Sequence, residues 1–160
     1  MLQFVQVPVD VEPAVTLLSE YFTSRELGFV SDHGAYKITH PDPAAFTPPA
    51  GVFVVLEEDG APLGCGGIRR IQDAPDGAVQ FEIKHLFLRP ETRGRGLGRS
   101  LLAELERLAV GFGATRFVLD TNASLTAAGG LYRSSGYLDV PAYNDNPNAT
   151  NWYAKDVASA

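Results

Sequence analysis

The chain has 160 residues, a formal net charge of −6, 45% apolar residues and 20% charged ones. That is an ordinary soluble globular composition, enough for one domain over residues 1–160 that buries roughly 70% of its unfolded-chain surface. No apolar run reaches membrane length, Asp10 and Glu12 interrupt the place where a leader would need an apolar core, and the acidic balance argues against a nucleic-acid surface, so the cytoplasm is the expected location. The acidity suits a cationic or amine partner, although it also serves plain solubility. Cys65 stands alone, which excludes an internal disulfide, and His33, His40 and His85 lack zinc-site spacing, so no metal is expected.

In chain order, Leu2 to Val9 alternates weakly as a first strand, and Asp10 can cap a helix carrying Ala14, Val15, Leu17, Leu18, Tyr21 and Phe22, with Pro13 in its first turn. From Gly28 to Ala50 the pattern dissolves into Pro, Gly and Asp. A segment of that length is a surface excursion or a functional loop. Gly51–Leu56 reads as a strand, Glu58-Asp59-Gly60 as a hairpin turn and Pro62–Ile68 as its partner, where Gly64, Gly66 and Gly67 suggest a bulge or close backbone approach. Asp73–Gly77 makes the next turn.

Phe81 to Leu108 is the organising stretch. Alternation places Phe81, Ile83, His85 and Phe87 on one strand face and Glu82, Lys84, Leu86 and Leu88 on the other, so His85 is expected as a hydrogen-bonded core histidine. Leu97, Leu101, Leu105, Leu108 and Phe112 then recur at helical spacing. Between them lies Arg93-Gly94-Arg95-Gly96-Leu97-Gly98, followed by Arg99. Glycines let the backbone approach a ligand, and the helix that follows points unpaired N–H groups and its positive dipole end into the turn, a setting for an anion. Arg89, Arg93, Arg95 and Arg99 reinforce it. A P-loop would need a lysine that is missing, and the dinucleotide fingerprint fails because Arg99 or Leu101 falls where its last glycine belongs.

Arg116–Thr121 is a further strand, making a parallel crossover with the strand before the turn. Asn122 or Ser124 can cap a short helix bearing Leu125, Ala128, Leu131 and Tyr132, closed by Gly136. Leu138–Val140, a loop over Pro141–Asn148 and a strand at Asn151–Val157 complete the chain. Tyr143-Asn144-Asp145-Asn146-Pro147 is either a connection or part of an acceptor mouth.

Arg93, Gly96 and Gly98 fit the pattern Arg/Gln-x-x-Gly-x-Gly/Ala, and Leu131-Tyr132-Arg133-Ser134-Ser135-Gly136-Tyr137 fits Leu-Tyr-x-x-x-Gly-Phe/Tyr. In both, the chain resembles the GNAT superfamily of acyl-CoA-dependent N-acyltransferases. Gly129 and Gly130 depart from the bulkier residues usual before the second motif. The resemblance implies an α/β (α+β) fold: a mixed, mostly antiparallel sheet of six to seven strands with flanking helices and two central parallel strands splayed apart.

It implies acetyl-CoA as cosubstrate, its pyrophosphate on Arg93, Gly94, Arg95, Gly96, Leu97, Gly98 and Arg99, and its pantetheine arm on the backbone of Leu86, Phe87 and Leu88, with Asn122 able to bond the arm or a water. Glu82 occupies the position of a catalytic glutamate in histone-acetylating members, and Tyr132 that of the tyrosine facing the cofactor sulfur. Tyr21, Phe22, Asp32, Tyr36 and Phe46 would border the acceptor, a small-molecule or peptide amine. The resemblance also admits a homodimer. The alternative is an acyl-CoA-binding sensor or an inactive structural subunit without turnover.

Overall fold

The computed structural model describes residues 1–28, 38–122 and 126–158. Its seven strands are β1 (Leu2–Gln6), β2 (Gly51–Glu58), β3 (Ala61–Arg70), β4 (Gln80–Leu88), β5 (Arg116–Thr121), β6 (Leu138–Val140) and β7 (Asn151–Asp156). They form one sheet in the order β1-β2-β3-β4-β5-β7-β6, antiparallel except for β4 and β5, which are parallel. Among the described residues three α-helices flank it: α1 (Ala14–Gly28), α2 (Leu97–Gly111) and α3 (Thr126–Ser134). Glu12 rather than Asp10 caps α1, its carboxylate accepting bonds from the Thr16 amide and hydroxyl. α3 runs through Gly129 and Gly130, and Ser124 and Leu125 lie outside the described residues.

The sheet carries two cores. On one face, Leu101, Leu102, Leu105 and Ala109 of α2 pack on Val52, Val54, Ile68, Phe81 and Ile83. Fully burying one such large side chain contributes about 1.5–3 kcal/mol, so this leucine stripe is what fixes α2 on the sheet. On the other face, Leu17, Leu18 and Phe22 of α1 meet Phe53, Val55, Cys65 and Phe87.

Strict alternation fails inside β4. Cys65 pairs with Phe87 but Gly67 pairs with Lys84, so β4 has an extra residue opposite β3, and His85 takes a left-handed φ of 58°. This is a β-bulge. Phe81 and Ile83 belong to the α2-side core, and so does Leu86 beyond the bulge; His85 and Phe87 turn to the α1 side, which Glu82 and Lys84 also face. The expected grouping of His85 with Phe81 and Ile83, and of Glu82 with Leu86, is therefore corrected.

A second irregularity separates β4 from β5. They pair only at Gln80, Phe81 and Glu82 against Arg116, Phe117 and Val118. Beyond that point β5 continues against β7 as far as Thr121, and β4 stays paired to β3 as far as Leu88. The two parallel strands splay apart, leaving the β5-facing edge of β4 open.

Candidate active site

The turn before α2 is built on two left-handed glycines, Gly94 at φ 85° and Gly96 at φ 73°. A Cβ at either would meet nothing within 4 Å, so space is not what demands glycine there; the backbone conformation is. Gly96 is the N-cap of α2 and has no side chain to offer, and among the described residues no backbone carbonyl receives the N–H groups of residues 94–99. Donors of this kind, at the positive end of a fifteen-residue helix, suit a diphosphate. Gly98 sits against Leu88 and Leu131, which seats the turn at the open end of β4. Leu97 is buried as the first core residue of α2, leaving only its amide for a ligand.

The arginines gather less than the sequence suggests. Arg89 is tied to Glu20 at 2.7 Å and to the Pro62 carbonyl, away from the turn. Arg95 pairs with Glu58 at 2.8 Å, and Arg99 reaches Ser134 and Ser135 at the end of α3. Arg93 is exposed and has no ion pair among the described residues.

On the α1 side of the sheet a cavity of about 470 Å³ spans the splayed strands. Its floor comes from the sheet: Arg69, Lys84, His85, Asp120, Thr121 and Asn122. One wall is aromatic, with Tyr21, Phe22, His40 and Phe46, and Arg25 stands at its end. The opposite wall is the loop before β7, through Asn144, Asn146 and Asn148. The segment read as connection or mouth is thus part of the cavity, and so are Tyr21, Phe22 and Phe46. Asp32 and Tyr36 lie outside the described residues.

Glu82 does not line this cavity. It is 1% exposed and clamped: Arg69 donates to Oε1 from Nε and Nη2 at 3.1 and 2.9 Å, and the Tyr143 hydroxyl donates to Oε2 at 2.7 Å. The same carboxylate raises the Tyr143 pKa, although burial of that phenol is the larger cause. Next to it, Asp120 accepts from Asn144 at 2.7 Å and Asn146 at 3.0 Å, with the Lys84 ammonium 3.7 Å away. Trp152 fixes Asn144 by donating to its Oδ1 at 2.9 Å. Asp120, unlike Glu82, lies on the cavity floor.

Its place on β5 beside the split was legible, but nothing in the sequence marked its partners. Asn122 lines the same floor and donates to the Asn148 carbonyl at 3.1 Å.

His85 is 9% exposed and ringed edge-on by Tyr21, Phe22 and, at a tilt, Phe46. Its Nδ1 is buried without a partner among the described residues, so the expected hydrogen-bonded core histidine is corrected to a cavity-lining one. Burial, followed by the charges of Lys84, Arg69 and Arg25, pulls its pKa down to about 3, so it is neutral at pH 7. Tyr132 is buried on the other side of the split, against Tyr137 and Tyr153. Burial raises its pKa while the nearby Arg25 charge opposes the rise, and the phenol stays protonated.

The Acetyltransferase (GNAT) family model matches residues 14–137. An uncharacterized N-acetyltransferase of Schizosaccharomyces pombe is 30% identical over 144 residues, covering 89% of this chain and 85% of the relative. An IAA acetyltransferase of Azospirillum brasilense is 32% identical over 87 residues, 54% of each chain. A GNAT-family acetyltransferase of Staphylococcus aureus superposes with a TM-score of 0.75 at 14% identity, covering 98% of this chain and 99% of that one. One from Elizabethkingia anophelis, solved with acetyl-CoA bound, gives 0.64 at 14% identity, covering 98% of each. With a glycine turn of bare amides opening onto parted parallel strands, and a match spanning both, the chain is an acetyltransferase and belongs to the GNAT family.

Proposed function

We propose that the protein transfers an acetyl group from acetyl-CoA to the primary amine of a small molecule or peptide, in the cytoplasm. The observation that carries this reading is the split: β4 leaves β5 after Glu82, and its open edge runs from the cavity to the glycine turn. The amides of Gly94, Arg95, Gly96, Leu97, Gly98 and Arg99, with the charge of Arg93, hold the diphosphate. The free edge of Leu86, Phe87 and Leu88 binds the pantetheine arm, with Asn122 across the gap.

In the transfer the amine nitrogen attacks the thioester carbon, a C–N bond forms, the C–S bond breaks, and one amine proton must leave while the thiolate gains one. Tyr132, kept protonated by burial, donates to the thiolate. Asp120, on the cavity floor, receives the amine proton directly or through water. Glu82 stands behind it as a positioning residue, because Arg69 and Tyr143 occupy its oxygens.

Purified protein given acetyl-CoA and a panel of amines should release thiol steadily and yield acetylated amine by mass spectrometry. Tight acetyl-CoA binding with no release across a broad panel would favour a sensor without turnover. Failure to bind acetyl-CoA in calorimetry would remove the reading altogether.

A further inference from the structure

The net charge of the chain is negative, but the charge of the cavity is not. Among the described residues lining it, Arg25, Arg69 and Lys84 are cationic and only Asp42 and Asp120 are anionic. The two acids are also engaged. Asp42 caps the short 3-10 turn at Pro43–Phe46 by accepting from the Ala44 amide, and Asp120 is held by Asn144, Asn146 and Lys84.

The cations are unequally satisfied. Arg69 is matched by Glu82. Lys84 faces an Asp120 whose oxygens already accept from two amides. Arg25 has no carboxylate among the described residues and only stacks on the Tyr21 ring, its guanidinium carbon 4.9 Å from the centroid.

The neutral imidazole between them reports the same imbalance. After burial, the charges of Lys84, Arg69, Arg25 and His40 all disfavour protonation of His85. A half-buried guanidinium in such a field, without an anion of its own, is matched best by one on the ligand. Beside it, Tyr21, Phe22, His40 and Phe46 offer flat apolar surface, and the volume is that of a small-molecule site.

We propose that the acceptor is an amino acid with an apolar or aromatic side chain, its carboxylate on Arg25, its side chain on the aromatic wall and its amine at the strand split. The proposal rests on the acetyltransferase reading and names the acceptor class for that site. The products are the N-acetyl amino acid and free coenzyme A; the bonds exchanged are those of the transfer above, and no redox partner is involved. A guanidinium that is planar and forked reads a carboxylate in two parallel bonds, so an amide or a bare amine should be rejected at this position.

The test pairs each acid with its isosteric amide. Phenylalanine, phenylalaninamide and phenethylamine, with the leucine and methionine pairs beside them, are titrated by calorimetry into protein saturated with coenzyme A, which binds without turnover. The free acids should bind about tenfold or more tighter than their amides. Arg25→Gln should shrink that gap to about threefold or less while leaving coenzyme A affinity and melting temperature near wild type, and Arg25→Lys should retain part of it.

Amides or bare amines binding as tightly as the acids, an undiminished gap in Arg25→Gln, or no binding by any acid of the panel would each overturn the proposal. Steady acetylation of carboxylate-free amines in preference to acids would overturn it too, yet leave the acetyltransferase reading standing. Failure to bind coenzyme A itself would strike that reading.

Discussion

Replacing Glu82 by Gln tests whether this carboxylate holds the structure or performs the chemistry. The substitution keeps the shape but removes the charge from a side chain that is 1% exposed. With the amide nitrogen turned toward Tyr143, whose hydroxyl can rotate to accept, the remaining oxygen still meets Arg69, but both charge-assisted bonds at 3.1 and 2.9 Å become neutral-acceptor bonds. Breaking a buried pair from one side costs about 3–5 kcal/mol. The Arg69 side chain is 36% exposed and can recover part of its hydration, so the expected loss is about 2–3 kcal/mol.

For a domain of this size that lowers Tm by roughly 5–10 °C. Urea unfolding at pH 7 reads it directly. Adding Arg69→Met to Glu82→Gln should restore part of the loss, since no unmatched cation remains, giving a coupling energy outside the additive range. A Glu82→Gln protein within about 0.5 kcal/mol of wild type would refute the clamp. A loss of kcat in that variant, without loss of stability, would return Glu82 to the role of base.

Acid sensitivity follows from His85. Its imidazole protonates near 6.5 in the unfolded chain but only near 3 in the fold, so stability is unaffected above about pH 6.5 and falls by up to about 1.4 kcal/mol per unit as pH drops below it. His85→Asn, which tolerates the left-handed φ of 58°, should flatten that limb between about pH 6 and pH 4; an unchanged slope in urea midpoints would mean the fold does not keep the ring neutral. Gly96→Ala adds a methyl into open space at φ 73°, so its cost of about 1–2 kcal/mol is conformational, and acetyl-CoA affinity by calorimetry should fall roughly five- to thirtyfold. Unaltered affinity would remove the turn from the diphosphate site. Tyr132→Phe should lower kcat about 10- to 100-fold with little change in acetyl-CoA KM, and an unaltered kcat would reduce Tyr132 to packing.

The leucine periodicity of α2, the glycine turn and the parallel crossover were all readable, because each rests on local rules: helical spacing, left-handed turns and the need for a crossover. The glycines of β3 carried a correct signal too. A Cβ at Gly64 would collide with the Phe87 carbonyl, and one at Gly67 would lie 2.6 Å from the Phe46 ring. What period-two alternation could not foresee was the extra residue at His85, and every facing assignment beyond it turned over as a result.

The side chains that matter most in the cavity, Arg25, Arg69, Lys84 and Asp120, come from α1, β3, β4 and β5, and only tertiary structure brings them together. Total charge could not show this either, for the same reason. It sums over exposed acids that never see the cavity, whose described lining has more cations than anions.

The single inserted residue in β4 also divides the strand's duties. Up to Ile83 it is a beam in the leucine core, where volume changes are punished; at Lys84 and His85 it lines a recess whose chemistry can change with little effect on the beam, and at Leu86 it rejoins that core. Variation in what this scaffold acetylates is therefore expected to collect at that kink, while the core positions on either side of it stay fixed. Excising one residue there would rejoin the halves and turn the recess inside out.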